Sequence, residues 1–154
     1  MMTNDNDRVR AHTAPEILDE IDRQIKAHVQ FYATQSKGAI SARIEELELE
    51  WDIERVLEAN VSTLALTGLA LGLTVNKKWL WLTGGVLMFL LQHALQGWSP
   101  PNPLLRQSGV RTRSEIDCEK YALKALRGDF DNVPVRTENN PLARAHNALL
   151  AASV

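Results

Sequence analysis

Val61-Ser-Thr-Leu-Ala-Leu-Thr-Gly-Leu-Ala-Leu-Gly-Leu-Thr-Val75, Asn76-Lys-Lys78, and Trp79-Leu-Trp-Leu-Thr-Gly-Gly-Val-Leu-Met-Phe-Leu-Leu-Gln-His-Ala-Leu-Gln-Gly-Trp98 together decide the fold. No charged side chain lies between Glu58 and Lys77, and none between Lys78 and Arg106, although charges are frequent elsewhere. Two apolar runs joined by a polar Asn-Lys-Lys turn read as a helical hairpin. The second run is interrupted only near its end, by Gln92, His93 and Gln96.

Length and ends decide what surrounds such a hairpin. A spanning helix needs roughly 20 apolar residues to cross about 30 Å of hydrocarbon. At about 1.5 Å per residue, Trp79 to Trp98 covers roughly 28 Å, and the charge-free Ala59 to Asn76 about 27 Å. Trp79, Trp81 and Trp98 stand at the two ends of the second run, where interfacial anchors belong. Gly68 and Gly72 form a small-xxx-small face that admits a neighbouring helix closely, with Gly84 or Gly85 as the expected partners. The alternative is a buried helical pair in a soluble bundle, where each glycine costs about 1 kcal/mol relative to Ala. The runs favour the bilayer, so the expected fold is all-α, a two-helix transmembrane hairpin with flanking amphipathic helices.

Around the hairpin the chain splits into short water-facing parts, too small for an enzyme core. Residues 1–58 carry 7 basic and 13 acidic side chains (net −6), and residues 99–130 carry 6 and 4 (net +2). This balance does not point to nucleic acid. The single cysteine, Cys118, excludes an internal disulfide. The amino terminus has neither the apolar core nor the cleavage pattern of a secretory signal.

Five segments follow in order. Residues 1–12 are expected to be a disordered tail. Residues 13–58 are an acidic helical arm. Its first helix opens at Thr13-Ala-Pro-Glu16 and carries Ile17, Ile21, Ile25, Val29 and Tyr32 at helical spacing. A second helix, capped by Ser41, is expected to continue unbroken or gently kinked to Val75. Its carboxylates Glu45, Glu46, Glu48, Glu50, Asp52, Glu54 and Glu58 are spread around the helix, as a solvated face requires, rather than gathered at cation-ligand spacing. The hairpin occupies residues 59–98. Residues 99–130 begin with a rigid exit, since Pro100, Pro101 and Pro103 remove backbone donors. A short helix from Pro103 to Gly109, capped by Asn102, comes next. Thr112-Arg-Ser-Glu115 is a capping box for a helix through Ile116, Leu123 and Leu126 that stops at Gly128. Residues 131–154 are a linker and a short terminal helix.

At Asp52-Ile-Glu-Arg55, Leu90-Leu-Gln-His-Ala94, Gly97-Trp-Ser-Pro-Pro101 and Ala122-Leu-Lys-Ala-Leu-Arg-Gly-Asp-Phe130 the chain resembles the YgaP-like inner-membrane domain family. The resemblance covers residues 52–130 and implies a two-helix domain of unknown function in a bacterial-type inner membrane. That family is sometimes fused to a rhodanese sulfurtransferase. Ser99 stands where members often place Cys, and no rhodanese loop occurs in this sequence, so the resemblance carries no sulfurtransferase activity.

The histidines, His12, His28, His93 and His146, form no metal-binding spacing, and no Gly-rich phosphate loop, nucleophile elbow or zinc signature occurs. Gln92, His93 and Gln96 lie within two turns of Trp98, where the interface hydrates them. Cys118 has no adjacent His or Cys to activate it. The expected function is therefore that of a small integral membrane protein with a non-catalytic interaction or assembly role and no cofactor or metal. Its expected partners are the lipid bilayer and a second copy or another membrane protein. A soluble helical oligomer and a membrane partner for a separate sulfur-transfer enzyme are the alternatives. Lys and Arg counts beside the spans place both termini in the cytoplasm.

Overall fold

The computed structural model describes residues 7–96 and 101–131, and among them every regular element is a helix. In chain order these are α1 (Arg8–Ala11), α2 (Pro15–Tyr32), α3 (Lys37–Leu49), α4 (Ile53–Thr74), a 3-10 turn (Lys77–Trp79), α5 (Leu80–Gln96), α6 (Asn102–Gln107) and α7 (Arg113–Arg127). The chain divides into two compact units, Met1–Gln24 with Glu50–Ile116, and Ile25–Leu49 with Asp117–Val154.

The first unit contains the hairpin and a polar collar. Asp52 is in extended conformation and its side chain accepts from the Arg55 amide, so α4 starts afresh at Ile53. This corrects the expectation of one helix from Ser41 to Val75. Arg111 explains the joint: its guanidinium holds Glu50 through Nε at 2.8 Å, and its carbonyl accepts from the Ile53 amide at 2.9 Å. An amide bonded to a distant carbonyl cannot also continue the preceding helix. Along α4, Ile53, Leu57, Val61, Gly68 and Gly72 are buried, all on one stripe, while α5 buries no residue fully. The link between them is set by Asn76, whose side chain accepts from the Lys78 amide at 2.9 Å.

The collar is held by charge as much as by apolar burial. Arg106 and Glu115, each 2 % exposed, form a two-pronged pair, Nη1 to Oε2 and Nη2 to Oε1, both 2.7 Å. Arg106 also donates to the Val110 carbonyl and to Thr13 Oγ1. Glu115 accepts further from Arg10 and from the Thr112 amide, and Arg10 reaches both oxygens of Asp22. Burial opposes ionisation of Glu115, yet the hydrogen bonds from Arg106 and the Thr112 amide and the nearby guanidinium charges outweigh it and lower its pKa. Thr13 is thus taken up by Arg106 and by donation to the Val9 carbonyl, rather than capping α2 as its sequence position suggests. Residues 8–11, expected within a disordered tail, form α1, because Asp7 caps it and Val9 is buried.

In the second unit Ile25, Ile40, Ile44, Leu47 and Leu123 are buried. Glu119, with no exposed side-chain surface, accepts from Arg43 Nε and Nη2 at 3.0 Å and lies 3.2 Å from His28 Nδ1. Ser36, not Ser41, accepts from the first turn of α3 at the Ala39 amide. The Ser41 hydroxyl instead accepts from Arg127 at 2.8 Å. Gly128, at φ 93°, ends α7 in the left-handed conformation that favours glycine.

Candidate functional site

The α4–α5 hairpin presents an apolar surface that the described residues do not cover. Leu66, Leu73, Trp81, Met88 and Leu95 are each at least 66 % exposed, and Leu64, Leu69, Leu87, Phe89 and Leu91 are also exposed. Exposed apolar surface is where a protein can meet lipid or another protein. Its threonine hydroxyls are satisfied internally. The hydroxyls of Thr63, Thr67 and Thr74 each donate to the carbonyl four residues earlier at 2.7 Å, and Thr83 donates across the seam to the Ala65 carbonyl at 3.1 Å. Such bonds remove the need for water along the helix.

The seam is closed at two glycines. A Cβ on Gly68 would lie 2.7 Å from Thr83 Oγ1 and 3.2 Å from the Trp79 carbonyl oxygen, and one on Gly72 would lie 2.6 Å from Leu80 Cδ2. Gly84 and Gly85, expected as their partners, have nothing within 4 Å on that side. Within the hairpin the partners are therefore Trp79, Leu80 and Thr83, because the turn sets an antiparallel register that puts residue 68 opposite 83 and residue 72 opposite 80. Trp79 and Trp81 are exposed beside the turn. Trp98 and Pro100 lie outside the described residues, as does the expected helix near the carboxyl terminus. Pro101 and Pro103 are exposed where α6 begins.

One helical stretch, Lys37–Thr74 counted across the joint at 50–52, contains an 18-residue window of mean hydropathy 1.5, of which 22 % is buried. Among the described residues it is the one helical stretch long and apolar enough, by length and composition, to cross a membrane. The α5 helix has 17 described residues, about 25 Å at the usual rise, and so falls short of that length where two spans were expected.

At the open end of the hairpin a pocket of about 470 Å³ is lined by Glu54 and Glu58 from α4, Leu90 and His93 from α5, and the cations Arg8 and Arg113. Arg8 Nη1 donates to the Ala94 and Leu95 carbonyls at 3.0 and 3.2 Å, so the last turn of α5 is met by a guanidinium. Glu54 Oε2 is buried and accepts no hydrogen bond. Burial, reinforced by the carboxylates of Asp52, Asp7 and Glu58, raises its pKa above the ordinary value. Sequence reasoning placed His93 at this end but missed the pocket. The signal was the Glu54–Glu58 pair, one helical turn apart at the mouth of the apolar run.

Gln92 is partly buried and Gln96 exposed, both on α5 near this end, while Cys118 is partly buried on α7. Among the described residues no group of three His, Cys, Asp or Glu side chains is gathered to hold a metal ion. Comparison with protein-family models, with curated proteins and with solved structures gave no match.

Proposed function

We propose that the chain is a small integral membrane protein whose hairpin, over residues 59–98, lies in a bilayer and whose water-side helices form a non-catalytic interaction or assembly module. The exposure of large apolar side chains around both hairpin helices carries this reading. In water such a surface is unfavourable by about 25 cal/mol for every Å² left uncovered. Internal satisfaction of the threonine hydroxyls supports the same placement. The second apolar run continues in sequence to Trp98, beyond the described end of α5, and the resemblance to the YgaP-like family agrees with a two-helix membrane domain. On the water side, Arg10, Arg106 and Glu115 are occupied with one another, a structural rather than a reactive use of polar groups.

The protein should remain with the membrane fraction through an alkaline carbonate wash and need detergent for release. Quantitative recovery in the soluble fraction without detergent would remove the membrane reading and leave the soluble helical oligomer as the alternative.

A two-span hairpin puts both termini on one side. Arg43, Arg55, Arg106, Arg111 and Arg113 flank the runs on the terminal side, against Lys77 and Lys78 in the turn, so the termini are proposed to be cytoplasmic. In intact cells a membrane-impermeant maleimide should label an Asn76→Cys variant at the turn and spare Cys118. Permeabilised and denatured samples control for the partial burial of Cys118. Labelling of Cys118 with Asn76→Cys protected would invert the orientation, and equal labelling of both would show that α5 does not cross.

A further inference from the structure

The pocket at the mouth of the hairpin combines features that a general solvent cleft lacks. Glu54 and Glu58 lie one turn apart on α4, and the buried Oε2 of Glu54 is left without a donor. Asp7, also on the pocket wall, is already engaged by Ser114 and by the Arg10 amide. The other carboxylates on the wall, Glu54 and Glu58, are both on α4, and they suit a compact donor with several N–H groups. Arg8 and Arg113 supply positive charge in the same pocket. Leu90 lines this pocket and also a wholly apolar groove of about 160 Å³, whose other walls include Val61, Leu64, Val86 and Phe89. Acid, base and apolar groove therefore meet at one residue, at the end of the apolar run.

We propose that this pocket holds the headgroup of a phospholipid carrying a primary ammonium beside its phosphate, with an acyl chain laid along the apolar groove. The ammonium donates to Glu54 and Glu58, and the phosphate takes the positive charge of Arg8 and Arg113. An ammonium has three donors and no acceptor, which matches a carboxylate whose buried Oε2 lacks a donor with a second carboxylate one turn away. A quaternary ammonium offers no N–H, and an anionic headgroup without nitrogen would face the carboxylates unpaired. The proposal rests on the membrane placement of the hairpin.

The full-length protein, purified in mild detergent and stripped of lipid, is offered equal amounts of phosphatidylethanolamine, phosphatidylcholine and phosphatidylglycerol with matched acyl chains, and bound lipid is read by native mass spectrometry. Phosphatidylethanolamine should be retained about tenfold over each of the others, the size expected of one charge-assisted hydrogen bond. Glu54→Gln combined with Glu58→Gln should reduce it to the phosphatidylcholine level. Glu58 is exposed, so Glu58→Gln alone keeps the fold and should lower retention if the double variant is unstable. Equal retention of the three lipids, a preference for phosphatidylglycerol, or unchanged retention in Glu58→Gln overturns the assignment. Protein that needs detergent yet shows no such preference defeats this proposal alone, whereas protein soluble without detergent defeats the membrane placement with it.

Discussion

Replacing Arg106 by Ala is expected to destabilise the first unit by about 3–5 kcal/mol, because it leaves Glu115 buried with one of its two cationic partners gone. The loss is not confined to one pair. Arg106 also bonds the Val110 carbonyl and Thr13 Oγ1, so the variant strips two polar groups as well as a carboxylate. Arg106→Lys should recover little, since a single ammonium cannot reproduce two parallel N–H donors. Thermal unfolding of the detergent-solubilised protein, followed by circular dichroism, reads the change. A shift no larger than that of an exposed substitution such as Arg23→Ala would show that the buried pair contributes no net stability. The pH dependence has a definite sign. The pKa of Glu115 is lowered in the folded protein from an ordinary value of 4.5, so its contribution is present above that value and is lost as pH falls through the folded pKa. Glu54 acts oppositely. With its pKa raised, its contribution is present below the ordinary value and is lost as pH rises through the folded one. Glu115→Gln should therefore flatten the acid-side loss that the unaltered protein shows.

Several local patterns in the sequence were legible, though the cap of α3 was not, since Ser36 and not Ser41 fills it. The charge gaps between Glu58, Lys77 and Arg106 mark two helices and the turn between them. Thr112 and Glu115 form one half of the expected capping box, with the Glu115 carboxylate accepting from the Thr112 amide at 2.8 Å, and Gly109 and Gly128 take the left-handed conformation at helix ends. What escaped were outcomes fixed by distant partners. Nothing local in Glu50-Trp-Asp-Ile53 requires a break, since Asp52 is tolerated within a helix; the break follows from Arg111, some sixty residues on. Thr13 looks like a cap until Arg106 claims its hydroxyl, and residues 8–11 look disordered until Val9 is buried and Arg8 meets the end of α5. The pocket escaped for the same reason, because its walls come from four separated stretches of chain. Gly84-Gly85 was a failure of register. Small residues on both runs invite pairing, but the tight turn at Asn76 aligns Gly68 with Thr83 and Gly72 with Leu80.

That register gives Gly68→Leu the second large effect. A side chain at residue 68 would meet not only Thr83 Oγ1 but also the Thr83 amide nitrogen at 3.1 Å and the Trp79 carbonyl oxygen at 3.2 Å. Backbone cannot rotate away as a side chain can, so α4 and α5 must separate, and the Thr83 hydrogen bond to the Ala65 carbonyl is lost with the contact. The expected cost is about 1–3 kcal/mol from overpacking, with loss of the interhelical hydrogen bond added to it. Gly72→Leu should cost less, because its closest neighbours are Cδ2 and Cγ of Leu80, the outer part of a flexible side chain, while the Leu80 amide is 3.4 Å away. A Cβ at Gly84 meets nothing within 4 Å, so Gly84→Leu should leave the hairpin intact, with a small gain in helix propensity of up to about 1 kcal/mol. Denaturant midpoints of the three variants in one detergent measure the order. Equal losses for Gly68→Leu and Gly84→Leu would show that the seam does not run through Gly68. If only Gly84→Leu changes the size of the detergent-solubilised particle, that glycine lies at a contact between copies rather than within the hairpin.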